Sequence, residues 1–282
     1  MLAPGIERII APIWGIRDPA KRIVIVFACY LDEARTDKES ALVTMAGYVA
    51  PYSDWLPFEK AAAIKCEERG VRVIHGYDLE NNKKDFKGWD RPKKECFVQA
   101  LQDCLKPTGA MGFAYSVAKA EFVAAKRLHK VMPNESAYGF CFRMIADRIC
   151  NDPVMRMNFE TIPGADISFI LESGATNGED ARRVFNDLKE RHPFRGRLAA
   201  FTFAPKDSTR SLQMADLLAF YSRRHIAKYD DGSGSYEHVP TMLTILHTGV
   251  HVEPLVAHDF KLNKVSAITR RRIRKPSWEQ PS

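Results

Sequence analysis

The sequence predicts a mixed α/β domain, a sheet covered by helices on both faces. Three observations carry this. Residues 23–31 form a β-rich run that is apolar on both alternating faces, a second strand-like run follows at 41–49 after a polar turn, and helical and strand-like segments then alternate to about residue 225. At 282 residues the chain can bury a substantial core in one elaborated domain, or divide into two small ones.

The first run, Ile23-Val24-Ile25-Val26-Phe27-Ala28-Cys29-Tyr30-Leu31, reads as a central strand ending at Asp32-Glu33. Residues 41–49 are expected to return antiparallel to it after the turn at 36–40. Ser53 or Asp54 is expected to cap a helix running through Trp55, Phe58 and Ala62 to Arg69, with Gly70 closing it. A short third strand at 71–74 leads into His75-Gly76-Tyr77-Asp78-Leu79. Pro92 opens a helix to Leu105, which residues 107–109 end, and 111–117 read as a strand. Helices at 121–129 and 135–150 make a helical insertion. Residues 167–171 form a strand terminated by Glu172, followed by a helix from Asn177 or Gly178 to Arg191, a strand at 198–203 and a helix from about 209 to 225. A Gly/Ser turn at 231–235, a short helix at 240–247 and a basic tail complete the chain. The expected organisation is an N-terminal extension (1–22), the α/β domain (23–226) and a C-terminal extension (227–282).

The apolar runs are strand-length, too short to cross a bilayer as helices, so no membrane partner is expected. Residues 1–20 carry Glu7, Arg8, Arg17 and Asp18 with no continuous apolar stretch, unlike a secretory signal. Six cysteines without a Cys-x-x-Cys pair read as reduced thiols of a cytoplasmic protein. The net charge of +7 favours polyanion partners. Between residues 179 and 228 there are eleven Lys/Arg against six Asp/Glu, and between 261 and 275 seven Lys/Arg and no acid. A nucleic-acid backbone suits such a stripe; a solvated tail is the plainer alternative.

Three carboxylates stand in awkward places. Asp32 and Glu172 each follow an apolar strand, where acids either open solvated loops or converge on the ligand side of a sheet. Asp216 has Leu212 and Phe220 four residues either side and Ala219 three residues on, all on its own helical face. A buried carboxylate must be paired, hydrogen-bonded or metal-bound. Either an arginine such as Arg223 or Arg210 satisfies it, or a Mg²⁺ or Mn²⁺ site shared with Asp32 and Glu172 does. Two such ions can support phosphodiester cleavage.

The segments Tyr30-Leu31-Asp32-Glu33-Ala34, Ile170-Leu171-Glu172-Ser173 and Asp207-Ser208 with Leu212-Gln213-Met214-Ala215-Asp216-Leu217-Leu218-Ala219 resemble domain-of-unknown-function family 3800, a prokaryotic family grouped with the ribonuclease H-like superfamily. The similarity runs from about residue 23 to about residue 226; Ala34 and Arg35 depart from the family's usual Ser-Gly opening. The resemblance implies a ribonuclease H-like mixed sheet, with Asp32, Glu172 and Asp216 as its acids.

Secondary candidates are weaker. Glu33 alternates with Asp32 and is expected to face away from the site. His75 is read as positioning a phosphate or moving a proton, or as a buried histidine bonded to backbone. Asp207 is either a fourth metal ligand or a helix-start acid, with Ser208 a candidate cap. Lys206, Arg210, Arg223 and Arg224 flank the last helix and are expected to hold the nucleic-acid backbone. His247, His251 and His258 are read as loop histidines, since no zincin pattern accompanies them, and no phosphate loop, dinucleotide fingerprint or nucleophile elbow is present. The sequence thus points to a divalent-metal-dependent nuclease or phosphodiester-transfer enzyme, with catalytic Asp32, Glu172, Asp216 and His75. The alternative is a catalytically inactive ribonuclease H-like module that binds nucleic acid or protein. Oligomeric state is left open.

Overall fold

A computed structural model describes residues 26–34, 41–128, 135–161, 165–175, 177–191, 195–230, 242, 245–246 and 251–256. In chain order the elements are β1 (Val26–Ala34), β2 (Leu42–Pro51), α1 (Tyr52–Glu67), α2 (Gly76–Glu80), α3 (Arg91–Leu105) and β3 (Met111–Ala118). There follow α4 (Lys119–Leu128), α5 (Ala137–Asn151), α6 (Pro153–Thr161), β4 (Asp166–Glu172), α7 (Gly178–Arg191), β5 (Leu198–Ala204), α8 (Arg210–Asp230) and β6 (His251–Val256).

One sheet runs in the order β5-β4-β1-β2-β3-β6. β2 is antiparallel to both β1 and β3, whereas β4 lies parallel to β1 and to β5, and β6 parallel to β3. This is a ribonuclease H-like mixed sheet, with helices on both faces. β1 is central, which explains its lack of a polar face. Ala28 and Tyr30 join Trp55 and Phe58 of α1, Phe97 and Leu101 of α3, and Leu212 and Ala219 of α8 in one core. Phe27, Cys29 and Leu31 point the other way, into a second core with Phe122 of α4, Phe142 and Ile145 of α5, Met155 and Phe159 of α6, and Val184 of α7. β1 and β2 approach closely at Gly47, where a Cβ would stand 1.8 Å from the Tyr30 carbonyl oxygen.

Several boundaries differ from those expected. β1 continues through Asp32 and Glu33, so Asp32 lies within the sheet beside Ala46 of β2. α1 begins at Tyr52 after Pro51; Ser53 bonds to Asp54 instead of capping. The expected strand at 71–74 is not a strand. Its amides are taken by side chains, Arg72 N–H donating to Asp85 and Ile74 N–H to Gln213, so they cannot enter a ladder. α3 starts one residue early, with Asp90 accepting from the Lys93 amide. α6 was not anticipated, and it enlarges the helical insertion between β3 and β4. β6 was not anticipated either: Pro254 argues against a central strand, and the strand indeed lies at the sheet edge. His251, expected in a loop, opens it, and buried Met242 and Leu246 join the α8-side core, so the 227–282 segment contributes to the fold. Residues 1–25, His247, His258 and the tail beyond 256 lie outside the described residues.

Candidate active site

The parallel register of β1 and β4 pairs Leu31 with Leu171, which brings the next residues, Asp32 and Glu172, to the same end of adjacent strands. α8 crosses this region with its small and apolar face inward, and Asp216 sits on that face, 6% exposed. The three acids converge on the ammonium of Lys206. Lys206 Nζ is 3.0 Å from Asp32 Oδ2, 3.0 Å from Glu172 Oε2 and 2.7 Å from Asp216 Oδ1. The structure thus gathers the three acids singled out in the sequence, and it places Lys206 among them. Lys206, expected to hold a nucleic-acid backbone, has a side chain only 13% exposed and serves as the counter-ion of the acid cluster.

The surrounding bonds fix the acids from behind. The Gly76 amide donates to Asp216 Oδ2 at 2.5 Å, and the Glu33 amide donates to Asp32 Oδ1 at 2.7 Å. Gln213, left open between ligand orientation and packing, ties three segments together. Its Oε1 accepts from the Ile74 amide and from Arg210 Nη1, and its Nε2 donates to the Lys206 carbonyl. Burial pushes the Asp32 carboxyl well above the ordinary carboxylate range, and the Asp216 charge adds to the shift while Lys206 opposes it. Burial works against the Lys206 charge, but Asp216, Asp32 and Glu172 outweigh it and raise its pKa. Asp32 Oδ2 accepts no well-directed hydrogen bond; its contact with Lys206 is an ion pair.

Glu33 lies on the opposite sheet face, as its alternation requires, yet it is not remote from the site. Burial and then the Glu172 charge push its carboxyl up to about 7, with Tyr138 of α5 as a hydrogen-bond partner. His75 immediately precedes α2 at the rim, half-exposed, and its side chain makes no capping bond. Its Nε2 is 3.8 Å from Asp216 Oδ1 and its Nδ1 3.7 Å from Asp78 Oδ2. Nδ1 has no hydrogen-bond partner, so it is not the backbone-bonded histidine of the alternative reading.

The remaining candidates fall outside the cluster. Asp207 is exposed and shares none of the ion pairs that join Lys206 to the three acids. Ser208 donates to the Pro205 carbonyl, and Thr209 caps α8 instead, its Oγ1 accepting from the Leu212 amide at 3.2 Å. Of the two arginines expected to satisfy Asp216, Arg210 is employed elsewhere. Arg210 bonds the Arg72 carbonyl and Gln213, and Arg224 pairs with Glu80 at 2.9 Å. Arg223 is half-buried.

One carboxylate escaped sequence reasoning. Glu59 of α1 is buried against the start of α8, where it accepts from the Arg210 and Ser211 amides at 2.8 Å each and from Ser211 Oγ at 2.5 Å. The argument that singled out Asp216 would have found it: Trp55 lies four residues before Glu59 and Ala62 three after, on one apolar helical face.

Among the described residues no three His, Cys, Asp or Glu side chains form a ready metal cage. Three carboxylates around a single cation position, two of them buried, are nevertheless a hard-oxygen donor set suited to a divalent ion. The fold and this cluster define an α/β mixed-sheet protein with an acid-lined site where β1, β4 and α8 meet. No family model matches the chain, and no curated protein matches it. Among solved structures it is similar to a chain of the PCNA:RNase HII complex from Archaeoglobus fulgidus. The identity is 16% and the TM-score 0.40, over 91% of this chain and 96% of that one.

Proposed function

We propose that the chain is a divalent-metal-dependent nuclease, or a related phosphodiester-transfer enzyme, acting on nucleic acid in the cytoplasm. The observation that carries this reading is the gathering of Asp32, Glu172 and Asp216, from three separate elements, around one buried cation position. Membership of domain-of-unknown-function family 3800 belongs to the same proposal and rests on the motifs that supply those acids.

Asp32, Glu172 and Asp216 would hold Mg²⁺ or Mn²⁺. When bound, one or two such ions activate water and stabilise the leaving oxygen of a phosphodiester. The chain's own groups supply the rest. The Gly76 and Glu33 amides keep two of the acids aimed inward. His75 stands at the rim within 4 Å of Asp216, placed to exchange a proton with a group entering from solvent. Beside it, exposed Lys83 lies 4.5 Å over the half-exposed Tyr77 ring, and exposed Lys84 reaches Asp78 at 2.8 Å. A cationic and aromatic rim of this kind suits a sugar-phosphate strand.

The test is cleavage of labelled single- and double-stranded DNA and RNA with Mg²⁺, Mn²⁺ or EDTA, comparing wild type with Asp32→Asn and Asp216→Asn. Metal-dependent cleavage lost in both variants is the expected result; full activity in Asp216→Asn rejects the mechanism. The second reading is a binding module without catalysis. It is favoured by one observation, that Lys206 already neutralises part of the acid cluster. It predicts salt-sensitive nucleic-acid binding that survives loss of the acids, with no cleavage under any metal condition.

A further inference from the structure

We infer that Lys206 is a built-in competitor for the metal position: its ammonium closes the acid cluster in the metal-free protein and must withdraw before a divalent cation can be held there. The inference rests on the metal-site reading above and concerns how that site is regulated. The Lys206 ammonium takes an oxygen from each of the three acids within 3.0 Å, so it fills the position that all three address. A second cation among the same oxygens would meet strong like-charge repulsion at a few ångströms in a poorly solvated site. The two occupants therefore exclude one another.

The structure divides what is fixed from what is free to move. Two of the acids are pinned through their other oxygens, Asp216 by the Gly76 amide and Asp32 by the Glu33 amide. The Lys206 backbone is held as well. It begins a short 3-10 turn (Lys206–Ser208) closed by the Ser208 amide on the Pro205 carbonyl, and its own carbonyl accepts from Gln213 Nε2 at 3.1 Å. Only the four-carbon side chain has to swing, and its neighbours Pro205 and Asp207 are exposed, so its route out leads to solvent. Withdrawal leaves Asp32 and Asp216 in place and delivers an ammonium to the rim, where a phosphate of the substrate would arrive. The apparent metal affinity of the wild-type protein is then the intrinsic affinity reduced by the fraction of molecules in which the lysine is out.

The experiment is Mn²⁺ titration by calorimetry on the full chain, wild type against Lys206→Met and Lys206→Gln, with circular dichroism to confirm folding. Both variants are expected to bind Mn²⁺ about tenfold tighter or more. In parallel, amine-reactive labelling of the wild-type protein, read at Lys206 by mass spectrometry, is expected to be slow in EDTA and to rise as Mn²⁺ saturates. Equal or weaker Mn²⁺ binding in both folded variants overturns the inference. So does unchanged Lys206 labelling across a saturating titration, or failure of all three proteins to bind Mn²⁺. The nuclease reading fails separately: tighter binding and increased labelling without cleavage of any nucleic acid sustain the displacement and reject the nuclease, whereas metal-dependent cleavage with unaltered variant affinities does the reverse.

Discussion

Glu59 shows how much a single side chain contributes away from the chemistry. Its carboxylate is a cap in trans, satisfying the Arg210 and Ser211 amides that begin α8, the helix carrying Asp216. Glu59→Ala strands two amide donors and the Ser211 hydroxyl, and is expected to destabilise the fold by about 2–4 kcal/mol in urea denaturation. The same residue gives a pH signature. Burial raises its carboxyl above the ordinary 4.5, against the lowering effect of the Ser211 and Arg210 donors. A carboxyl whose pKa is higher in the folded state stabilises the fold fully below pH 4.5, and that contribution is lost as the pH climbs through the folded value. The stability of wild type relative to Glu59→Gln should therefore fall as pH rises over that interval; a difference that stays flat or grows contradicts the assignment. At the rim, Lys83→Ala with Lys84→Ala is expected to weaken nucleic-acid binding and to reduce its salt slope by up to about 2, read from affinity against salt concentration.

At the scale of elements, close approach decides which substitutions the fold tolerates. A Cβ on Gly76 would lie 2.7 Å from Phe220 Cβ, pressing α2 away from α8 just where the Gly76 amide holds Asp216. Gly76→Ala is expected to cost about 1–3 kcal/mol and to weaken metal-dependent activity as well, seen by denaturation and by the cleavage assay. Gly47→Ala is expected to be worse, about 3 kcal/mol or more, because its obstacle is the Tyr30 backbone oxygen, which cannot move without breaking the β1–β2 ladder. Sequence patterning found β1, β2, β3 and β4, apolar almost throughout because both of their faces are buried, and amphipathic helices such as those beginning at Arg91 and Gly178. It failed at 71–74, an apolar segment whose amides bond to distant side chains. It also missed β6, where a proline within the segment hid an edge strand. Neither signal is local.

For the molecule as a whole, the candidate site was half legible. An acid on an apolar helix face or at the end of a buried strand is an expensive placement, and that expense marked Asp32, Glu172 and Asp216. A lysine before a helix carries no such mark. Lys206 read as a surface cation because its partners lie far away in the chain and only the sheet order unites them. The net charge of +7 makes a further expectation at this scale: deleting residues 257–282 should flatten the salt dependence of nucleic-acid binding without altering the metal response of the acid cluster. Loss of that metal response would mean that the C-terminal segment is part of the site.

The spacing of the cluster along the chain also has a consequence for biosynthesis. Asp32 lies on the first described strand, whereas Lys206 and Asp216 arrive only with the turn and helix after β5. In a nascent chain that has emerged through β4, pairing of β1 with β4 would bring Asp32 and Glu172 to one sheet end without either the lysine or the capped helix that later joins them. Two acids then face each other with no counter-charge, so the sheet should remain loose until the ribosome has released residues past 216. Arrest peptides placed before and after α8 would locate that moment, with protease resistance expected only in the longer chain.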